Sequence, residues 1–392
     1  MRKRRKIVAL LASLLIPGTV GCGAGVTEVR IGAILSMEGR AASYGESIWR
    51  GVQVAMDEVN AAGGVTIADS SGPKPLIIEL RDDKSDPHLA GEEARELIEM
   101  GVPAVIGSDS SGVTLAIAPL FQEAGVILLS PSASSPKLSE AGSYIYRNYP
   151  SDELEAVNTA NDIYNRVGIH EVAILGSQSE YGLGVKNAFI QRFRMLGGTV
   201  LVQETFTANA TELSSQIEAV GATKPRVIYI AGYSAEIAAV AKAIRGAGIK
   251  AQLYGTGAIQ PLYLVKEGGD EVEGLVFPSP VFDPDSDKEA VRRFISGYRQ
   301  KFGESFDVYA AHGYDAVNIL VQAIEQMGIR SADISFYLNT MNPFEGAAGT
   351  TTFDDKGDVR KFHRMLMIQG RKAVPVPPAS SRPSSSTAEA SD

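Results

Sequence analysis

Between residues 27 and 370, short apolar runs alternate with longer stretches whose apolar residues recur at helical spacing, and no other feature limits the fold as strongly. The runs at 29–35, 76–80, 104–106, 126–129, 172–175, 200–205 and 227–230 read as strands. Ile48, Val52, Ala55 and Val59 fall on one face of a helix that ends before Gly63 and Gly64. Further helices are predicted at 88–101, 112–124, 151–166, 181–196, 211–222, 235–247, 287–302 and 308–327. Parallel strands need a crossover of a dozen or more residues, usually a helix. The alternation therefore predicts an α/β protein of βαβ units, with parallel sheets covered on both faces. About 340 residues exceed what one such sheet holds, so two doubly wound lobes are expected.

In open α/β sheets, ligands bind where the carboxyl ends of the strands meet the following helices. Three such turns are rich in small hydroxyl side chains or aromatics. The first runs from Gly107 to Thr114 and holds Ser108, Asp109, Ser110 and Ser111. A helix N-terminus needs one capping side chain; this turn offers several hydroxyls and a carboxylate, which points to ligand contact as well as capping. The second holds Ser130, Ser132, Ser134 and Ser135, and the third holds Tyr181 between Glu180 and Gly182. A tyrosine at such a turn can lay its ring over a small ligand and donate from its hydroxyl. Tyr44 and Tyr233 stand at similar places.

The two ends of the chain lie outside this pattern. Arg2 to Lys6 are all basic, and the next ten residues are apolar, too short to span a bilayer but suited to a signal-peptide core. Small residues then precede Cys22, the sole cysteine, as in a bacterial lipobox with Thr19 where leucine is usual. Residues 1–21 are thus expected to be a lipoprotein signal peptide and 22–27 a lipidated linker that anchors the exported protein to a membrane. Residues 371–392 are rich in Pro, Ser and Ala and are expected to be disordered. The whole chain carries a charge of −9, and without the five basic residues of its signal segment −14. Such a chain has no basic face for nucleic acid. One cysteine excludes an internal disulfide and any multi-cysteine metal centre, and no cofactor is expected. No G-x-G-x-x-G follows a strand, no phosphate-binding G-x-x-x-x-G-K-[ST] occurs, and His88, His170, His312 and His363 stand in no catalytic context. An enzyme is therefore not expected.

The order of these pieces carries a resemblance. Ile31-Gly32, Ser43-Tyr44-Gly45 and the helix closing on Asn60-Ala61-Ala62-Gly63-Gly64-Val65 come first, then Arg81-Asp82-Asp83-Lys84-Ser85-Asp86-Pro87. Val105 to Thr114, Ser130 to Ala133, Tyr181-Gly182-Leu183-Gly184, Ala231-Gly232-Tyr233 and Phe353 to Asp358 follow. In this order the chain resembles the periplasmic branched-chain amino-acid-binding proteins of ABC transporters, the type I solute-binding fold, from about residue 28 to 370. The resemblance implies two lobes, 28–148 with 280–344 and 151–276 with 351–370. Crossing segments near 147–151, 277–280 and 345–350 would join them and let them close on a ligand. It places ligand-carboxylate and amine contacts at Ser111, Ser132 and Ser134, with Ser110 beside them, and aromatic contacts at Tyr44, Tyr181 and Tyr233. It also puts Ser85 and Ser110 where some members form a disulfide.

One departure bears on the ligand. The acidic residue that family members pair with the ligand ammonium falls at Gly257 here. A buried ammonium without a counter-charge is costly. Either the ligand lacks a cationic amine, or another carboxylate supplies the charge. Asp109, at a position usually apolar in the family, is the candidate; the alternative is that it caps a helix or faces solvent. The resemblance implies capture of a small amino acid, carboxylate or amide for an ABC permease and ATPase. A ligand-sensing module coupled to a receptor is the alternative use of the same fold.

Overall fold

The computed structural model describes residues 26–68, 72–207, 212–304 and 306–377. The signal segment, Cys22 and residues 378–392 lie outside the described residues. The first sheet is built from β1 (Val29–Leu35), β2 (Leu76–Asp82), β3 (Ala104–Gly107), β4 (Ile127–Ser130) and β5 (Ile145–Arg147), in the order β2-β1-β3-β4-β5 and parallel throughout. Its crossovers are α1 (Ala42–Ala61), α2 (Pro87–Glu99) and α3 (Ser111–Ala124). Period-2 alternation fills both faces. Ile31, Ala33, Ile106 and Leu129 pack toward α1, whereas Ile34, Val105 and Leu128 pack on the other face with Leu97, Ile117 and Phe121 of α2 and α3.

The chain then enters a second sheet. It crosses α4 (Asp152–Asn161), β6 (Glu171–Ser177), α5 (Glu180–Met195), β7 (Thr199–Phe206) and α6 (Ser214–Ala222). Next come β8 (Val227–Ala231), α7 (Ser234–Gly246), β9 (Gln252–Tyr254), α8 (Pro261–Gly268) and β10 (Val276–Pro280). It returns to the first lobe for α9 (Glu289–Phe302), α10 (Val308–Met327) and α11 (Ser331–Thr340). A hairpin of β11 (Phe344–Gly346) and β12 (Gly349–Thr351) follows, and β13 (His363–Gln369) and β14 (Lys372–Pro375) finish the second sheet. Its order is β14-β13-β10-β9-β8-β6-β7, with β13 and β14 antiparallel. Helix α10 lies close against α1. A β-carbon on Gly51 would stand 1.9 Å from the Ala310 carbonyl oxygen, so only glycine allows the two backbones this approach.

Three sequence expectations change. The disordered tail does not begin at 371, because β14 pairs with β13 through Leu366–Pro375, Met367–Val374, Ile368–Ala373 and Gln369–Lys372. Gly370 and Arg371 make the tight turn with φ of 57° and 64°, which brings the Lys372–Pro375 backbone back into register. The helix expected at 151–166 ends as an α-helix at Asn161 and continues as a π-helical turn, Asp162–Val167. The second sheet is mixed rather than wholly parallel, its antiparallel strands coming from the last stretch of the chain.

Candidate functional site

The carboxyl ends of strands from both sheets face one another across the interlobe space, and the turns named above meet there. Asp83, fully buried after β2, organises the first lobe's side. Its carboxylate accepts from the Ser36 hydroxyl and the Ser108 hydroxyl, each at 2.7 Å, and from the Ser85 N–H at 2.8 Å. These bonds tie the turns after β1, β2 and β3 together. The Ser36 N–H donates to Asp109 Oδ1 at 2.6 Å, while Asp109 Oδ2 is buried with no hydrogen-bond partner among the described residues. Asp109 is 4% exposed, so it does not face solvent. Burial, reinforced by the nearby charge of Asp83 and opposed by the Ser36 N–H, pushes its pKa from 3.8 to about 8.

The serine turns are fastened in the same way. Ser130 donates its hydroxyl to the Ser108 carbonyl at 2.7 Å, and Ser132 donates to the Asp109 carbonyl at 2.8 Å. The Ser111 hydroxyl oxygen accepts from the N–H groups of Ser134 and Ser135 at 3.3 and 3.2 Å. Its own proton stays available to donate, as a ligand carboxylate requires.

The second lobe contributes through helix starts. Ser179 caps α5, accepting from the Gly182 N–H at 3.0 Å, and so sets Tyr181 at the first turn. Tyr233 precedes α7, with its N–H held by Glu236 at 2.9 Å. From the first lobe, the Tyr44 hydroxyl donates to the Ala258 carbonyl at 2.6 Å and accepts from the Ser234 N–H at 3.0 Å. One side chain thus locks the two lobes together.

Tyr44, Asp109, Ser111, Ser132, Ser134, Tyr181 and Tyr233 line one narrow cavity. Ser110 and Gly257 stand outside its lining. Ser110 is the residue before α3 and makes no capping bond through its side chain. The cavity also has walls that sequence reasoning did not single out: Ala258, Tyr149 and Tyr309. Tyr149 and Tyr309 stack with centroids 5.7 Å apart, and both donate to the Gly257 carbonyl, at 3.2 and 3.0 Å. Tyr149 follows β5 where the chain leaves the first sheet; its place in a crossing segment was the available signal. Tyr309 sits at the N-terminus of α10 behind the capping residue Asp307, whose carboxylate accepts from the Tyr309 N–H at 3.0 Å.

A further acid explains Gly257. Glu155 of α4, 2% exposed, accepts from the Gly257 N–H at 2.7 Å and lies 3.5 Å from the Tyr181 hydroxyl through both oxygens. A β-carbon on Gly257 would stand 2.5 Å from Glu155 Oε2. The carboxylate of Glu155 therefore fills the space that a side chain at 257 would occupy, one hydroxyl behind the cavity wall. Burial, with the neighbouring Asp152, raises its pKa well above the ordinary carboxylate value.

Asp109 is harder to ionise in the folded protein than in the unfolded chain, so between pH 4 and pH 8 the folded state retains the extra proton and stability falls as pH rises. Asp109→Asn keeps an acceptor for Ser36 but cannot ionise. Denaturant titrations from pH 5 to pH 8 should show a shallower decline for the variant, by up to about 1.4 kcal/mol per pH unit. Parallel declines would reject this assignment.

Among the described residues no group of three His, Cys, Asp or Glu side chains is placed to hold a metal ion, and no helix is long and apolar enough to cross a membrane. Two α/β lobes that meet over a small polar and aromatic cavity define a ligand-capturing protein of the two-lobed solute-binding class. The periplasmic binding protein family model matches residues 28–374, and the chain belongs to that family. It is 24% identical to the leucine-, isoleucine-, valine-, threonine- and alanine-binding protein of Pseudomonas aeruginosa over 360 residues, covering 91% of this chain and 94% of that one. A leucine-binding protein from Thermotoga maritima superposes with a TM-score of 0.82 at 27% identity, over 89% of this chain and 98% of that one. The branched-chain amino acid transporter substrate-binding protein of Streptococcus pneumoniae, solved with isoleucine, gives 0.81 at 26% identity, over 88% and 97%. These relatives are solute-binding proteins and not enzymes, and the chain is a solute-binding protein of the kind that serves ABC importers.

Proposed function

We propose that this chain is an extracytoplasmic lipoprotein that closes its two lobes on a small amino acid and hands it to an ABC permease and ATPase. The observation that carries this reading is the cavity itself, whose walls come from both lobes and are joined across by Tyr44. Contact with ligand and closure are then one event. The serine turns supply neutral donors for a carboxylate, which closure shields from water. Glu155, behind Tyr181, takes the place of the acid missing at Gly257 and gains its charge when a ligand ammonium stabilises the ionised form. The lobes in this reading are 28–148 with 280–344 and 151–276 with 351–375, and the lipid on Cys22 holds the exported protein at a membrane. A diacylglycerol provides the two chains that stable anchoring needs.

Titration of the purified protein with the common amino acids, aliphatic amides and small acids, followed by calorimetry and by the fluorescence of Trp49, tests the reading. Saturable heat with an α-amino acid is expected. No response to any of these compounds would overturn capture. A Cys22→Ala protein should leave the membrane fraction; its retention there would overturn the anchor alone.

A further inference from the structure

Capture of an amino acid leaves one group of the cavity without a role. Asp109 is the one acidic residue lining it among the described residues, and no Lys, Arg or His lines it. Its Oδ1 is taken by the Ser36 N–H, and its buried Oδ2 points at no donor among the described residues. The adjacent Ser132 hydroxyl is committed to the Asp109 carbonyl at 2.8 Å and does not serve that oxygen. An aliphatic ligand group packed against Oδ2 would leave a buried polar atom unsatisfied, and the binding site would reject it. Glu155 stands apart from Asp109: it belongs to α4, hydrogen-bonds to Gly257 of the second lobe, and lies behind Tyr181. Two acids thus approach the cavity, from separate elements, and a single ammonium answers only one of them.

We infer that the captured molecule carries a second nitrogen, in a short side chain ending in an amine or amide that hydrogen-bonds to Asp109 Oδ2. The ligand class is that of asparagine, glutamine and short diamino acids, in place of the aliphatic side chains in the relatives' names. The tyrosine walls suit this chemistry, since ring faces attract a cation or an N–H edge. The titration behaviour of Asp109 agrees with both: the carboxyl, kept neutral by burial, donates from Oδ2 to an amide carbonyl, and ionises when a protonated amine arrives to stabilise its charge. This inference rests on the amino-acid reading above.

Calorimetric titration of wild type with leucine, its isostere asparagine, and 2,4-diaminobutyrate tests it, alongside Asp109→Leu and Asp109→Asn. Wild type should bind asparagine or 2,4-diaminobutyrate at least about tenfold more tightly than leucine, the loss expected for one unpaired buried polar group. Asp109→Leu should reverse that order. Asp109→Asn preserves the acceptor for Ser36, guards against a folding defect, and should lose 2,4-diaminobutyrate selectively, because it presents a donor to a donor. Leucine binding wild type as tightly as the nitrogen-bearing pair, or ratios unchanged in both variants, would overturn the inference while leaving amino-acid capture intact. Binding of a plain acid with no response to any α-amino acid would overturn both.

Discussion

Glu155→Ala is expected to lower affinity for an α-amino acid about a hundredfold, or about 3 kcal/mol, the scale of removing one partner from a buried charge pair. The variant strips the Gly257 N–H and the Tyr181 hydroxyl of their acceptor and removes the charge that would answer the ligand ammonium. A deaminated analogue should be affected far less. The geometry adds a rescue experiment. Gly257→Glu alone should fail, because its β-carbon would meet Glu155 Oε2 at 2.5 Å. In the Glu155→Ala background the same change has room, and should recover most of the lost affinity by returning an acid to position 257. Calorimetry on the four proteins closes a double-mutant cycle. Equal losses for the amino acid and its deaminated analogue, or no rescue in the double variant, would show that Glu155 holds the backbone and nothing more.

The second large effect lies where the chain first leaves the first sheet. Arg147, 1% exposed, pairs with Asp358 at 2.7 Å, and donates to the Ser135 carbonyl at 2.7 Å and to the Ser139 hydroxyl at 2.9 Å. Its own N–H donates to the Gly357 carbonyl at 3.0 Å. One guanidinium therefore binds the crossing segment, the second serine turn and the 354–358 loop into a unit. Asp358→Ala strands that cation in the interior and should cost about 3–5 kcal/mol, read as a lower urea midpoint with an unchanged slope. Arg147→Met combined with Asp358→Leu should recover much of the loss, because it removes both charges. If the single variant unfolds within about 0.5 kcal/mol of wild type, the pair is no more than a surface bridge in effect.

The fold was legible in the sequence because alternation at period 2 and recurrence at 3.6 residues are local signals, and the predicted strands 29–35, 104–106 and 227–230 coincide with the cores of β1, β3 and β8. Strands too short to show a period, such as β5 and β9, were not. Strand β14 was hidden by the Pro- and Ser-rich composition around it and is visible only through its pairing with β13. At the site, the hydroxyl and tyrosine turns announce themselves by composition, and seven of the residues they suggested do share one cavity. Glu155 could not be read this way. The sequence shows an acid missing at 257, but the residue filling the gap lies 102 positions earlier on a helix whose neighbours Asp152 and Glu153 are also acidic. Only packing distinguishes it from a charge on a solvated face. Tyr309 was likewise absorbed into the apolar pattern of α10.

The close seating of Gly51 on Ala310 also has a meaning for how the chain is made. The helix that covers the first sheet's inner face is encoded some 260 residues after the helix it rests on. The amino-terminal half emerges from the ribosome or the export channel with an uncovered flank, and that lobe is completed only once the late helices arrive. Contacts so distant along the chain make for slow, order-dependent folding with exposed intermediates. Such a chain is suited to crossing a membrane before it folds, and its assembly on the far side waits on the last quarter of its length.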